Sequence, residues 1–237
     1  MTLPKWYNVT SSASEWIIPA QKWLFDKYAP EFEVEYLNVK DNPIENWGKK
    51  VASMIPNDQE FVVFGLDDYL PNNKIELHDF YDALLIMKSE KSLDRFELSW
   101  GASKKQGFIK TKGVWYDYLK YGEETPYSVS CQFSIWRTKS LIEVLNRSTT
   151  PWDFEVKQRC NAACFDFPVF RYIEESAISK RQPNKVNVLG LRPSDLKSLQ
   201  SLGYLGNNII FGWKGATELP EDKGGSKYSF VYDDNKG

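Results

Sequence analysis

The sequence is poor in the residues that build metal clusters, disulfide frameworks and membrane spans. Its 237 residues include one histidine, His78, and three cysteines, Cys131, Cys160 and Cys164. Cys160 and Cys164 have helical spacing, but no second Cys or His pair completes a zinc site. No apolar run approaches the ~20 residues that cross a bilayer, and no signal segment is evident. We therefore expect a cytoplasmic protein with reduced, buried cysteines and no transmembrane segment.

An excess of charge of one sign is also lacking. Thirty basic residues are balanced by 32 acidic ones, and the basic residues form no stripe. This distribution excludes the electrostatic footprint of a nucleic-acid partner. Aromatic residues, by contrast, make up 15% of the chain. Flat rings line sugar and base pockets and equally fill large cores, so composition leaves both interpretations open.

Hydrophobic periodicity predicts alternating strands and helices in the first part of the chain. We expect a first strand at 6–9, a helix beginning at Pro19 and a half-exposed strand at 32–36. A helix is expected at 46–54. The continuous apolar run at 61–64 is typical of a strand covered on both faces, as in a parallel sheet.

The later pattern is less regular. It predicts a helix that includes Phe80 and Met87, strands at 94–100, 107–110, 127–136 and 186–189, and helices after Thr138, Thr150 and Ser194. The whole pattern predicts an α/β fold in a single domain, with a mostly parallel sheet flanked by helices. We expect that domain to span residues 1–220 and a flexible tail to follow at 221–237.

Two adjacent aspartates, Asp67 and Asp68, follow the apolar run at 61–64. In open α/β sheets, ligands gather outside the carboxyl ends of the strands. Neighbouring carboxylates repel each other, and a divalent cation removes that repulsion. Mg²⁺ or Mn²⁺ prefers oxygen ligands and commonly bridges carboxylate to phosphate. The alternative is a pair of surface aspartates that open a turn toward residues 71–73.

Hydroxyl side chains follow the first predicted strand. Thr10, Ser11 and Ser12 are placed to meet a nucleotide at the carboxyl end of that strand. The alternative is a helix entry, because Ser12 and Glu15 have the spacing of a capping box.

Two later stretches, at 132–136 and 150–155, carry side chains that suit the binding of an acceptor, the molecule that receives a transferred group. Trp152 is suited to stack on an acceptor sugar, and we expect Gln132 and Trp136 to contribute to the same site. Asp153 and Glu155 are candidate bases for a proton of an acceptor hydroxyl. Asp153 stands three residues after Thr150, so its alternative role is to cap the helix that begins there. Glu155 has no such local explanation and is therefore the preferred base. We expect His78 to be structural.

The order of these stretches is similar to that of bacterial and viral glycosyltransferases of the GT-A fold. The resemblance spans residues 5–160 and is carried by Thr-Ser-Ser after the first strand, by Leu-Asp-Asp-Tyr at 66–69, and by the stretches at 132–136 and 150–155. It implies a nucleotide-diphosphate sugar as donor and Mn²⁺ or Mg²⁺ as cofactor.

The resemblance also implies roles for single residues. Asp68 would bind the metal and Asp67 would assist it or touch the ribose, while Thr10 and Ser11 would lie near the nucleotide. Trp152, Asp153 and Glu155 would face the acceptor, a glycan or a lipid-linked molecule. The commonest motif of the fold is Asp-x-Asp, whereas this chain has adjacent aspartates, so which of the two holds the metal stays open.

Two other functions fit parts of the pattern. A nucleotidyltransferase also uses a carboxylate-held metal on an α/β sheet, although it usually begins with a Gly-rich loop that this chain lacks after residue 9. A non-catalytic carbohydrate-binding module on a transferase-like fold is consistent with the aromatic content.

Overall fold

The computed structural model describes residues 2–10, 15–39, 46–67, 69–99, 108–170, 172–174 and 193–204. These residues form two compact units. The first contains the described parts of 2–10, 30–39, 46–66, 75–99 and 108–170, and the second contains those of 15–29, 67, 69–74, 172–174 and 193–204.

In chain order, the strands are β1 (Trp6–Thr10), β2 (Val34–Asn38), β3 (Phe61–Leu66), β4 (Tyr69–Pro71), β5 (Arg95–Glu97), β6 (Ile109–Thr111), β7 (Tyr118–Tyr121), β8 (Ser134–Arg137), β9 (Ala162–Cys164) and β10 (Tyr172–Glu174). The α-helices are α1 (Ile18–Tyr28), α2 (Trp47–Met54), α3 (Leu77–Ser89), α4 (Thr138–Arg147), α5 (Pro151–Lys157) and α6 (Pro193–Ser201), and a 3₁₀ turn (Glu15–Ile17) precedes α1. The expected α/β class is confirmed.

The first unit contains an eight-stranded sheet in the order β2-β1-β3-β8-β5-β9-β7-β6. β1 runs parallel to β2 and β3, and β5 runs parallel to β9. β8 is antiparallel to both β3 and β5, and β7 is antiparallel to both β9 and β6. The described sheet is therefore mixed, with three parallel and four antiparallel pairings.

The expectation of a mostly parallel sheet is wrong for the described strands, and three adjacent parallel strands occur only at β2, β1 and β3. Each of these strands is separated from the next by at least one helix or a long segment, which a parallel crossover requires. β6 and β7, in contrast, follow each other through a short loop at 112–117, and so short a connection joins only antiparallel strands. The hydrophobic pattern of the later strands did not carry this information.

Aromatic side chains fill the core of the first unit on both faces of the sheet. On one face, the ring of Trp6 packs edge-on against Phe32, Phe133 and Phe170 at centroid distances of 5.4, 4.9 and 5.4 Å. On the other face, Phe154 of α5 contacts Trp47, Phe64 and Trp136 at 5.8, 5.7 and 5.9 Å. These aromatic side chains serve packing.

Gly65 of β3 lies directly beneath the ring of Phe133. A Cβ atom at this position would stand 2.1 Å from Phe133 Cδ1, and the ring is fully buried against Trp6. We expect Gly65→Ala to lower the free energy of unfolding by about 1–3 kcal/mol, because an overpacked core forces neighbours out of position. Urea unfolding measures the loss. Adding Phe133→Leu should recover part of it, and native stability of the single variant would contradict the packing described.

The second unit contains α1, α6 and the antiparallel pair of β4 and β10. Pro19 stands in the first turn of α1, as the sequence predicts. Asp195 of α6 is fully buried, and both Lys27 and Tyr28 of α1 donate hydrogen bonds to its carboxylate. These contacts attach the last described helix to the first.

Some local predictions need correction. Thr138 does not cap α4, because it is the first residue of that helix and Arg137 holds the cap position, and the buried Thr138 hydroxyl has no hydrogen-bond partner among the described residues. Thr150, in contrast, caps α5 through the N–H of Asp153. The strand expected at 186–189 and the tail at 221–237 lie outside the described residues.

Candidate functional site

The acidic pair stands where the chain leaves β3. Asp67 follows Leu66, the last residue of β3, and only 7% of its surface is exposed. Gln21 of α1 donates from its side-chain amide to the carbonyl of Asp67 at 3.2 Å and to that of Tyr69 at 2.8 Å. The backbone is therefore held on both sides of position 68. Asp68 itself lies outside the described residues.

Gln21 is a supporting residue that the sequence analysis missed. It is fully buried on the face of α1 that carries Ala20, Leu24, Phe25 and Tyr28. A polar side chain on an otherwise apolar helix face is the signal that would have revealed it, because a buried amide requires hydrogen-bond partners.

By residue type, Asp67 and Asp68 are oxygen donors of the kind that a phosphate-bridged divalent cation takes. Mg²⁺ is usually bound through one or two carboxylates together with substrate phosphates. Within the described part of the chain, no three His, Cys, Asp or Glu side chains converge on one point, so an all-protein metal cage does not form there. Two neighbouring aspartates would supply the protein share of a phosphate-bridged site.

Thr10 is the last residue of β1. Its carbonyl accepts the N–H of Val39 at 3.0 Å, and the preceding Val9 pairs with Leu66 of β3. Thr10 therefore stands at the carboxyl edge of the sheet, where the sequence analysis expected it. Its side chain is 2% exposed, so it offers little surface to a nucleotide. Ser11 and Ser12 lie outside the described residues.

The structure brings two acceptor-side candidates together at the start of β8. Glu155 Oε1 accepts the N–H of Cys131 at 2.7 Å and the hydroxyl of Ser130 at 3.2 Å. The backbone N–H of Gln132 donates to the same Ser130 hydroxyl at 3.1 Å. Glu155 and Gln132 are both half-buried and share Ser130 as a common support.

Asp153 is committed to its own helix. Its N–H donates to Thr150 Oγ1 at 3.0 Å, and its carboxylate contacts Lys157 Nζ at 2.7 Å and the hydroxyl of Thr149. The hydrogen bonds from Lys157 and Thr149 hold the pKa of the Asp153 carboxyl below its usual value. A weaker base with both oxygens engaged is poorly suited to proton abstraction, so of the two candidates Glu155 fits that role better.

The two tryptophans differ sharply in exposure. Trp152 is 70% exposed at the first turn of α5 and is free to stack on a ligand ring. Trp136 is fully buried between Arg95 and Phe154, because β8 is a central strand covered on both faces. A ring without exposed surface cannot stack on a sugar, so the assignment of Trp136 to an acceptor site is corrected to the core.

His78 Nε2 pairs with Asp79 at 2.9 Å.

A buried polar network lies beneath the start of β8. Arg95 is fully buried and donates from Nε to Ser134 Oγ and from Nη1 to the Ser128 carbonyl, both at 2.9 Å. Its Nη2 stands 3.7 Å from Oε2 of Glu97, which is 2% exposed. Tyr121 donates its hydroxyl to the same oxygen at 2.8 Å.

Burial raises the pKa of Tyr121 well above its ordinary value, and the neighbouring Glu97 charge adds to the effect. Tyr121 therefore stays protonated and remains a donor to Glu97. The network then continues through Ser99, whose hydroxyl lies 3.0 Å from Glu97 Oε1 and 3.0 Å from the side-chain oxygen of Gln132. The local sequence pattern reveals none of the buried members of this network.

Comparison with known proteins adds no family to these observations. No protein-family model matches the chain, and no curated protein matches its sequence. Among the helices of the described residues, none combines the length and apolar character needed to cross a membrane.

Proposed function

We propose that this chain is a metal-dependent glycosyltransferase with a GT-A-like fold, which moves a sugar from a nucleotide-diphosphate sugar to a hydroxyl acceptor. The observation that carries the proposal is the pair Asp67–Asp68 directly after β3, a strand buried along all but its last residue. Carboxylates at the carboxyl end of a buried strand stand where open α/β sheets bind ligands.

The sheet supports this proposal at its parallel end. β2, β1 and β3 are adjacent and parallel, so their carboxyl ends meet at one edge, where Thr10 and Leu66 terminate neighbouring strands. The start of β8 reaches that same edge, because β8 runs antiparallel to β3. Gln132 therefore belongs to the edge at which a donor nucleotide would bind.

Each residue has a defined task in the proposed reaction. Asp67 and Asp68 would hold Mn²⁺ or Mg²⁺, which supplies charge neutralisation for the departing diphosphate. Glu155 accepts the proton of the attacking hydroxyl at Oε2, since Oε1 is occupied by Cys131 and Ser130. Trp152 offers its exposed ring to the acceptor.

The same proposal includes the partners and the location. The acceptor is a glycan or a lipid-linked molecule, and nucleic acid is not a partner. The three cysteines are all buried thiols, and their spacing forms no disulfide framework, which supports a cytoplasmic setting.

A thermal-shift panel tests the proposal. The native chain is heated with UDP, GDP, UDP-glucose, UDP-galactose or GDP-mannose, each with and without Mn²⁺. We expect at least one of them to raise the Tm only when Mn²⁺ is present. A ligand at a hundred times its Kd stabilises the folded state by about 2.7 kcal/mol, which shifts the Tm of a chain of this size by several degrees.

The alternatives are tested by adding nucleoside triphosphates with a sugar phosphate, and free sugars, to the panel. A nucleotidyltransferase responds to nucleoside triphosphates with a sugar phosphate, and a carbohydrate-binding module responds to free sugars without nucleotide or metal. Either pattern, in the absence of a response to nucleotide diphosphates with Mn²⁺, contradicts the proposed transferase.

A further inference from the structure

The buried guanidinium of Arg95 keeps the carboxylate of Glu97 ionised beneath the carboxyl edge of the sheet. An arginine guanidinium is always protonated, and Arg95 has no exposed surface. A buried cation requires a counter-charge, and Glu97 stands at ion-pair distance with 2% exposure. Glu97 is therefore the ionised carboxylate that balances Arg95.

This charge decides where the single proton of the Ser99 hydroxyl goes. Ser99 Oγ is 3.0 Å from Glu97 Oε1 and 3.0 Å from the side-chain atom placed as Gln132 Oε1, and both atoms in this arrangement are acceptors. A hydroxyl donates one proton, and an ionised carboxylate is the stronger acceptor. Ser99 thus donates to Glu97, and its lone pair is left facing the Gln132 amide.

A lone pair requires a donor, and the Gln132 amide has one. The oxygen and nitrogen of a glutamine side chain have nearly the same shape, so their order is assigned from the hydrogen-bond network. Turning the amide over places Nε2 against Ser99 Oγ. Ser99 then donates to Glu97 and accepts from Gln132, so each contact in this series joins a donor to an acceptor. The backbone of Gln132 is held separately by Ser130, so only the amide plane has to turn.

We propose that Glu97 and Ser99 are positioning residues that hold the Gln132 amide with its NH₂ toward Ser99 and its carbonyl toward the carboxyl edge of the sheet. The outer amide atom makes no hydrogen bond with the described residues, and Gln132 is half-buried. The amide therefore keeps part of its surface for a ligand, and the buried charge of Glu97 sets the polarity of the outer atom as an acceptor.

An outward carbonyl selects for ligand groups that donate a hydrogen bond. This step rests on the proposed function, in which the partner is a hydroxyl of the acceptor sugar. An acceptor whose hydroxyl is methylated or removed leaves the carbonyl without a hydrogen-bond donor. A site built around one hydrogen bond discriminates strongly against an analogue that lacks it. Glu97 thereby acts on sugar choice through two intervening side chains.

The amide orientation is tested by NMR on the ¹⁵N-labelled full chain. Gln132→Glu identifies the Gln132 side-chain signal by its loss. We expect its NH₂ protons to exchange slowly with water and to show a cross-peak to the Ser99 Hβ protons. Ser99→Ala should accelerate that exchange about tenfold, Ser99→Thr should preserve the protection, and Ser53→Ala, an exposed helix position, should leave it unchanged.

Free exchange of the Gln132 amide in the native chain, with no cross-peak to Ser99, would overturn the assignment. The second readout is transfer from UDP-glucose, UDP-galactose or GDP-mannose to methyl glycosides with Mn²⁺. Ser99→Ala should raise the acceptor KM about tenfold with a change in kcat of about twofold or less, whereas a purely structural role would lower kcat with little change in KM. Absence of any transfer or hydrolysis would contradict the proposed function and leave the amide result standing.

Discussion

Asp68→Ala is expected to reduce sugar transfer about a hundredfold or more at saturating donor. The cation that Asp68 would hold stabilises the departing diphosphate by several kcal/mol, and each 1.36 kcal/mol is a tenfold change in rate. Release of nucleoside diphosphate measures the rate. The same substitution should abolish the Mn²⁺-dependent rise in Tm, because ligand and metal bind together.

The matched control for this variant is Asp58→Ala, which removes an exposed carboxylate just before the start of β3, at the end of the strand opposite to Asp67. It should keep both the turnover and the Mn²⁺ response of the native chain. Asp67→Asn, tested alongside, shows whether the first aspartate is a ligand or a support. Turnover of Asp68→Ala near the native rate would exclude the metal role of that residue.

Arg95→Met is expected to lower the free energy of unfolding by about 3–5 kcal/mol. The substitution leaves Glu97 buried without its counter-charge, and breaking one side of a buried ion pair is far more costly than removing both. It also takes donors from Ser134 and from the Ser128 carbonyl. Urea unfolding, followed by Trp fluorescence, measures the loss.

Two further variants separate charge from packing in this result. Adding Glu97→Gln to Arg95→Met removes the uncompensated charge and should restore part of the stability, which gives a coupling energy between the two sites. Arg147→Met removes an exposed arginine that pairs with Glu143 on the surface of α4, and should cost less than about 1 kcal/mol. Equal losses at Arg95 and Arg147 would contradict the buried network.

The sequence predicted the parts of the fold that have long local patterns. The strand at 61–64, the helix at 46–54 and the Pro-led helix near residue 19 all have counterparts in β3, α2 and α1. β4, β7 and β9 were missed because strands of three or four residues are too short to show a period. The direction of pairing was also missed, since it depends on which distant strand becomes a neighbour.

The candidate site shows the same division. Glu155 and Gln132 are candidates from the sequence because a carboxylate and an amide in short aromatic-rich stretches are visible there, whereas Glu97 and Ser99 are anchored by contacts more than twenty residues away. Trp136 was misassigned because sequence does not show whether a tryptophan in a strand lies in the core or at the surface. Trp152, in contrast, is exposed in the first turn of the short helix α5.

The attachment of α6 to α1 has a consequence for synthesis of the chain. Lys27 and Asp195 are separated by 168 positions, so at ~5–20 residues per second a ribosome completes α1 on the order of ten to thirty seconds before its partner emerges. An isolated helix of 11 residues is marginal in water. The part of α1 that contacts α6 therefore stays without this partner until translation passes Asp195.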